Sequence, residues 1–171
     1  AIVNVADSPA ALSADICLPL QAGVEKSVAA TKSFIVSLVA AAAITAEWLD
    51  DDGLRRALAD LPGQLSRACS LQWPGFVESA ARAESLYALG RGPSYPVAAE
   101  TALKLKETCA VHAEAYSAAE VMHGPLELVE PGFPVLVYAQ DDAARAGTMA
   151  AVERLRSMGA DVHVAGGGLP V

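Results

Sequence analysis

The sequence predicts an α/β protein with three layers, in which helices cover both faces of a doubly wound parallel sheet. Short apolar segments typical of strands alternate along the chain with helical segments of about 10–15 residues, and this alternation favours parallel βαβ units. Of the 171 residues, 53% are apolar and only 19% are charged. A chain of this composition can bury a sizeable core, whereas disordered chains combine low hydrophobicity with high charge.

Two short strand candidates precede a long apolar helix. The strands are predicted over Ala1–Val5 and Ile16–Leu20. The segment from Ser27 to Leu49 is apolar on nearly every side, which is typical of a buried helix. Lys32 and Glu47 leave an apolar run shorter than the about 20 residues that a membrane span needs. We therefore expect a protein without a membrane partner.

Helices are also predicted in the middle of the chain. Asp50–Gly53 breaks the long helix, and leucines at helical spacing predict a second helix over Leu54–Ser70, with Pro62-Gly63 as a candidate interruption. A third helix is predicted over Trp73–Ala83. Together these segments indicate a helical connector between two α/β units.

Strands and helices alternate through the second half. The predicted elements are a strand over Ser85–Leu89, a helix over Tyr95–Ala110, a short strand or extended loop over Val111–Ala115, a partly helical segment over Ala118–Leu128, a strand over Pro134–Ala139, a helix over Ala144–Met158 and a strand over Asp161–Ala165. This order is that of a parallel, doubly wound sheet.

The charge balance and the cysteines narrow the class of protein. The net charge is −8, from 20 acidic and 12 basic residues, and no cluster of Lys and Arg occurs, so we expect no nucleic-acid partner. Cys17, Cys69 and Cys109 show no CxxC spacing. Their odd number and scatter favour reduced thiols in the cytoplasm, where we expect them to serve as small core residues.

One predicted helix carries charged residues on one side, which are candidates for a catalytic role. Glu100, Lys104 and Glu107 are spaced i, i+4 and i+7, so they fall within roughly 60° of one another around the helix axis. Smaller or apolar residues occupy the opposite side: Ala98, Ala102, Leu105 and Cys109. The spacing favours a solvated face with an ordinary ion pair, although periodicity alone does not separate this from a catalytic face.

Two further motifs have more than one interpretation, and a third is excluded as a nucleotide-binding motif. His123, before Gly-Pro, is either a turn residue or a functional histidine. The N–H groups at a helix start over Ser27–Thr31 suit an anion or a sugar, or ordinary capping by Ser27. GRGPSY is not a dinucleotide fingerprint, because Tyr95 stands where the third glycine of GxGxxG is needed.

Several motifs, in the same order, resemble the sugar isomerase (SIS) family, in particular the isomerase half of glucosamine-6-phosphate synthase and related deaminases. SVAATKSF resembles the family's VASTKAF, and GRGPSYPVAAE resembles its GRG-x-x-YP-x-A-x-E turn. ALKLKE, then HAEAY and HGP, resembles its catalytic segment. The resemblance runs from NVADSP to PVLVYA and implies two incomplete SIS units: the C-terminal part of a first unit over 1–52, a connector over 53–83 and most of a second unit over 84–171.

The resemblance also implies catalytic roles. Glu107 matches the family residue that moves a proton between C1 and C2 of the open-chain sugar, and Lys104 matches a lysine that holds this carboxylate or a developing negative charge. Glu100 matches another acidic position, which we group with the substrate-binding residues in an orienting role. His123 matches a histidine that helps open the pyranose ring and comes from the neighbouring subunit, which implies a homodimer.

The substrate-binding residues implied by the resemblance include Val28, Ala29 and Thr31, which line the sugar site in the family. Ala30 stands where the synthase pattern has Ser, which removes one hydroxyl from this segment. The family's phosphate loop, of the SxSGxT kind, and its C-terminal tail with a lysine do not occur. We expect both to lie outside this segment, before Ala1 and beyond Val171, so that the segment alone binds substrate poorly.

Three functions follow as alternatives. The first is a deaminase that converts glucosamine 6-phosphate to fructose 6-phosphate and ammonia, with a sugar phosphate as partner and no metal or redox cofactor. The second is the glutamine-dependent synthase, which runs the sugar chemistry in the opposite direction. The third is a sugar-phosphate sensor without catalysis, against which the presence of Glu107, Lys104 and His123 counts.

Overall fold

A computed structural model describes residues 1–166 of the chain, which forms two compact units, Ala1–Leu71 and a second beginning at Gln72. The first unit contains β1 (Ile2–Val3), α1 (Pro9–Leu12), β2 (Leu18–Pro19), α2 (Lys32–Trp48) and α3 (Asp52–Cys69). The two strands pair in parallel, with Ile2 opposite Leu18. No helix within residues 1–166 combines the length and the apolar character needed to cross a bilayer.

Helix α2 begins five residues later than predicted, at Lys32 instead of Ser27. The carboxylate of Glu25 accepts hydrogen bonds from the backbone N–H groups of Thr31 and Ser33, at 3.3 and 2.7 Å. This capping interaction fixes the first turn, so the alternative in which Ser27 caps the helix is excluded. Residues 27–31 precede the helix as irregular chain.

The expectation that this helix is buried is also wrong for the described unit. Of its 17 residues only Ala46 is buried, and Trp48 at its end is 84% exposed. The strands β1 and β2 are only two residues long, so they provide too little surface to cover a helix of this length.

The predicted break between α2 and α3 is confirmed. Asp51 caps α3 by accepting from the N–H groups of Gly53 and Leu54. Arg55 then bridges three acidic side chains across the junction: Glu47, Asp50 and Asp52. The candidate interruption at Pro62-Gly63 does not occur, and α3 continues through Pro62.

The second unit confirms the predicted three-layer α/β architecture. Its elements are α4 (Pro74–Ala81), β3 (Ser85–Gly90), α5 (Tyr95–Cys109), β4 (His112–Ser117), β5 (Pro134–Tyr138), α6 (Arg145–Ser157) and β6 (Asp161–Ala165). Trp73 is the residue that immediately precedes α4. The strands form a parallel sheet in the order β4-β3-β5-β6. The segment predicted as a short strand or loop is therefore a full strand, β4, paired along β3.

Alternating side chains of β3 divide the core between the two faces of the sheet. Leu86 and Ala88 pack with α4 and α5 on one face, which we call the α5 face. Tyr87 and Leu89 pack with α6 and with the chain after β4 on the other, the α6 face. That chain forms two 3₁₀ turns, Glu120–His123 and Pro125–Leu128.

The tight turn from β3 into α5 depends on Gly90. A β-carbon at this position would lie 2.3 Å from the carbonyl oxygen of Ser94, which is closer than any side chain allows. The Ser94 hydroxyl accepts from the N–H of Arg91, which closes the turn. The GRGPSY motif therefore sets the start of α5, and with it the direction of its charged side.

The cysteines are less buried than predicted. Cys17 is half-buried, while Cys69 and Cys109 are exposed. The two exposed thiols are the last residues of α3 and α5, where the helices leave the packed part of their units. The expectation that they are core residues is wrong.

Candidate functional site

The charged side of α5 gathers three of the predicted site residues. The ammonium Nζ of Lys104 lies 2.6 Å from Oε2 of Glu107 and 3.3 Å from Oε1 of Glu100. The three side chains are partly covered, with exposed fractions of 21% for Glu100, 24% for Lys104 and 28% for Glu107. The hydrogen bond to Glu107 is the largest of the causes that raise the pKa of Lys104.

This arrangement follows from how α5 packs. Ala98 and Ala102 are fully buried against the sheet, as predicted from their position opposite the charged residues. The helix therefore directs its charged side away from the core. One ammonium between two carboxylates keeps Glu107 oriented, and it offers a positive charge where an oxyanion could develop.

His123 lies on the other side of the sheet. It ends the first 3₁₀ turn, and the chain on both sides of it packs into the core of the α6 face through Val121 and Leu126. The residue is exposed, and within residues 1–166 its side chain takes part in no hydrogen bond or ion pair. The structure thus brings Glu100, Lys104 and Glu107 together, while His123 stands apart from them.

The predicted sugar-binding residues Val28, Ala29 and Thr31 lie in the irregular chain before α2, in the first unit. Val28 is 97% exposed and Ala29 is buried. The Thr31 hydroxyl donates to the carbonyl of Ala29, which gives this chain a local turn. Because Glu25 already accepts from the first N–H groups of α2, we expect a ligand here to meet the exposed residues and not the helix start.

An aromatic and acidic cluster on the α6 face did not emerge from the sequence. The Tyr116 hydroxyl donates to the carboxylate of Glu114, which is the chief cause that raises the pKa of Tyr116 to about 12. Tyr87 packs edge-on against Tyr116 and donates its hydroxyl to the carbonyl of Pro125. The signal for it is the alternation in HAEAY, which places Glu114 and Tyr116 on one face of a strand.

Within residues 1–166, no three side chains of His, Cys, Asp or Glu are grouped closely enough to hold a metal ion. The polar groups described above are carboxylates, one ammonium, tyrosine hydroxyls and one imidazole. Such groups can transfer protons and stabilise charge.

Comparison with protein families defines the class to which this fold and this site belong. The model of the SIS domain matches residues 80–165, about half of the chain, including the whole described sheet of the second unit. The chain belongs to the SIS-domain family.

Particular relatives carry the same pattern over most of the chain. The isomerizing glutamine–fructose-6-phosphate aminotransferase of Zymomonas mobilis is 35% identical over 175 residues, covering 94% of this chain and 28% of the relative. Among solved structures, a protein assigned as a phosphosugar isomerase from Silicibacter pomeroyi is 45% identical with a TM-score of 0.92, covering 98% of this chain and 51% of the other. The glucosamine-6-phosphate deaminase of Thermotoga maritima is 25% identical with a TM-score of 0.77, covering 99% and 53%.

The lengths of these relatives differ in an informative way. The chain spans 28% of the Zymomonas aminotransferase but about half of the two solved structures. The match to the aminotransferase therefore concerns only one part of that enzyme.

Proposed function

We propose that this chain supplies the proton-transfer part of an amino-sugar-phosphate enzyme, which converts glucosamine 6-phosphate to fructose 6-phosphate and ammonia. The observation that carries the proposal is the position of Lys104 between Glu100 and Glu107 on the outward side of α5, within the region matched by the SIS family. A base and a fixed positive charge next to it are the groups that an aldose–ketose isomerisation requires.

Each of the three charged residues on α5 has its own role in the reaction. In the open-chain substrate, the Glu107 carboxylate removes the proton from C2, and the C2 electron pair forms a C1–C2 double bond while the aldehyde oxygen takes up negative charge. Lys104 stabilises this oxygen, and Glu100 holds Lys104 in place. Glu107 returns its proton to C1, and O1 takes a proton from solvent, which leaves a protonated imine at C2. Water adds to C2 and the C2–N bond breaks, which gives fructose 6-phosphate and ammonium.

His123 has a different role, opening the pyranose ring before this step. The four-stranded sheet separates the packing of α5 from that of the chain around His123. This separation supports a site in which Glu107 of one copy works with His123 of a second copy, and hence a homodimer. Val28 and Thr31 remain our candidates for contacts with the sugar because they are exposed, whereas the side chain of Ala29 is buried.

The glutamine-dependent synthase is the second candidate. It is favoured by the identity of 35% with the Zymomonas aminotransferase, above the 25% with the Thermotoga deaminase. The deaminase is favoured by the match to solved chains only about twice as long as this one. Both reactions use the same proton transfer between C1 and C2, so the roles of Glu107 and Lys104 are common to them.

The test uses the complete protein that contains this chain, with Glu107→Gln as the variant. Each form is incubated with glucosamine 6-phosphate, and in a separate reaction with fructose 6-phosphate and glutamine, and sugar phosphates and ammonia are assayed. We expect the wild type to release ammonia from glucosamine 6-phosphate, and Glu107→Gln to lose at least about 10²-fold of this rate.

Glu153→Gln is the matched control, because Glu153, like Glu107, is a helical glutamate in an ion pair at i,i+3 spacing, here with Arg156 on α6. It should retain wild-type activity. Turnover only with fructose 6-phosphate and glutamine would replace the deaminase by the synthase. Binding of sugar phosphate without any turnover would favour the sensor and overturn the proposal.

A further inference from the structure

We propose that Tyr87 is a positioning residue for His123, acting through the backbone of the turn that carries the histidine. This inference rests on the proposed function, in which His123 opens the sugar ring. It assigns to Tyr87, a buried residue of the inner strand β3, an indirect part in the ring-opening step at the exposed His123.

The contact that carries the inference is a single hydrogen bond. The hydroxyl of Tyr87, which is only 3% exposed, donates to the carbonyl oxygen of Pro125 at 3.0 Å. Pro125 follows His123 by two residues and opens the second 3₁₀ turn. The bond therefore ties the chain just after the histidine to β3, one of the two inner strands of the sheet.

A second attachment lies just before the histidine. Val121, two residues upstream, is completely buried in the core of the α6 face, to which Tyr87 also belongs. His123 is thus an exposed residue between two fixed points. Gly124, between them, is held within the turn itself, where its carbonyl oxygen accepts a hydrogen bond from the N–H of Glu127. The position of the imidazole depends on these two attachments.

Tyr87 is itself held firmly by its neighbours. Its ring packs edge-on against Tyr116 and Phe133, with centroid distances of 5.0 and 4.8 Å. The Tyr116 hydroxyl is in turn fixed by its bond to Glu114, which lies opposite Tyr87 in the register of β3 and β4. Such a packed aromatic group has little freedom, so the position of the Tyr87 hydroxyl oxygen is set by the sheet.

Removing only the hydroxyl should release the turn without emptying the core. In Tyr87→Phe the ring packing remains, while the carbonyl of Pro125 loses its donor. A displacement of about 1 Å at a catalytic group can lower a rate by about 10²-fold. We therefore expect kcat to fall by about ten- to a hundredfold, with KM changed by less than about twofold, because the histidine acts on the ring-opening step and not on holding the substrate.

Tyr138→Phe provides the matched control on the α5 face. The Tyr138 hydroxyl shares a hydrogen bond of 2.7 Å with Thr101, so this variant also loses one partly buried tyrosine hydroxyl, on the face of the sheet opposite the turn. It should keep kcat within about twofold of the wild type. The comparison separates an effect on kcat that comes from moving the turn from one that comes from a general loss of stability.

The experiment measures kcat and KM in the complete protein for the wild type, Tyr87→Phe, Tyr138→Phe, His123→Ala and the double variant Tyr87→Phe/His123→Ala. It also measures hydrogen exchange of the segment 121–128. We expect Tyr87→Phe alone to lower kcat and to speed exchange in this segment. In the His123→Ala background it should cause no further loss of kcat, because the group that it positions is gone.

The outcomes distinguish the two proposals. A wild type that turns over no amino-sugar phosphate would remove the proposed function, and the inference with it. An active wild type with normal kcat in Tyr87→Phe would overturn the positioning role alone. A fall in kcat that persists in the His123→Ala background, or that Tyr138→Phe reproduces, would show a merely structural effect and would also overturn it.

Discussion

Lys104 is the residue on which the charged side of α5 depends, because both carboxylates reach the same ammonium. Its two partners are not equivalent. The distance to Glu107 is 2.6 Å, against 3.3 Å to Glu100, and the bond to Glu107 is the largest cause of the raised pKa of Lys104. The ammonium thus has one close partner and one supporting partner.

This inequality gives a prediction at the scale of single residues. Glu107→Gln should lower the pKa of Lys104 more than Glu100→Gln does, which can be followed by NMR titration of the lysine side chain. Since the pKa in the folded protein lies above the ordinary value of 10.5, the pairing stabilises the fold below that pH and is lost as the pH rises through the folded value. Equal decreases in the two variants would contradict the assignment of Glu107 as the main partner.

The spacing of these three residues could be predicted from the sequence because helical periodicity is local. Nothing local separates a solvated face from a catalytic one, so the sequence left both interpretations open until the family resemblance was considered. Tyr87 could not be predicted as a partner of the histidine turn at all. Its hydrogen bond joins residues 38 positions apart, and only the folded sheet brings them together.

At the scale of elements, the start of α2 is determined by Glu25. This glutamate accepts from two backbone N–H groups and from the hydroxyl of Ser33. These bonds lower the pKa of Glu25, with the Ser33 N–H as the largest cause. A negative charge at a helix N-terminus also interacts favourably with the helix dipole.

We therefore predict an acid-sensitive first turn in α2. The contribution of the cap is complete above the ordinary glutamate pKa of 4.5 and is lost as the pH falls through the lowered value in the folded protein. In Glu25→Gln the hydrogen-exchange protection factor of the Ser33 amide should be several-fold lower at neutral pH. It should also show no further decrease as the pH is lowered.

Asp15→Asn, an exposed carboxylate in the same unit that forms no hydrogen bond within residues 1–166, should leave the acid dependence unchanged. Protection that fades with acid to the same extent in Glu25→Gln and in the wild type would assign the effect to another group.

The second unit was predicted more accurately than the first for a physical reason. Its strands and helices each bury a face against another element of the same unit, so their periodicity matches their environment. The apolar residues of α2 have the pattern of a buried helix, yet the described unit covers almost none of them. The cap of this helix is Glu25, which lies seven residues before the first residue of the helix. The usual capping patterns involve residues next to the helix start, so they do not predict this one.

At the scale of the whole molecule, the sheet of the second unit separates two parts of the proposed machinery. A site shared between two copies predicts that two inactive variants can restore one another. Glu107→Gln and His123→Ala, each strongly impaired alone, should regain about a quarter of the wild-type activity after mixing and reassortment of subunits, since roughly half of the dimers are then mixed and each of these has one intact site.

The control is a mixture of Glu107→Gln with Glu107→Gln/His123→Ala, in which no intact site can form. Its activity should remain at the level of the separate variants. A failure of the first pair to recover, in dimers shown to exchange subunits, would place Glu107 and His123 of the same copy in one site.

The positions of the two tryptophans give the molecule an optical property. Trp48 ends α2 in the first unit and is exposed, while Trp73 precedes α4 in the second unit and is half-buried. Since the sequence contains only these two, each unit carries a single indole fluorophore. Replacing one of them by phenylalanine leaves emission that reports on the other unit alone, so denaturation of the two halves can be followed separately without any added label.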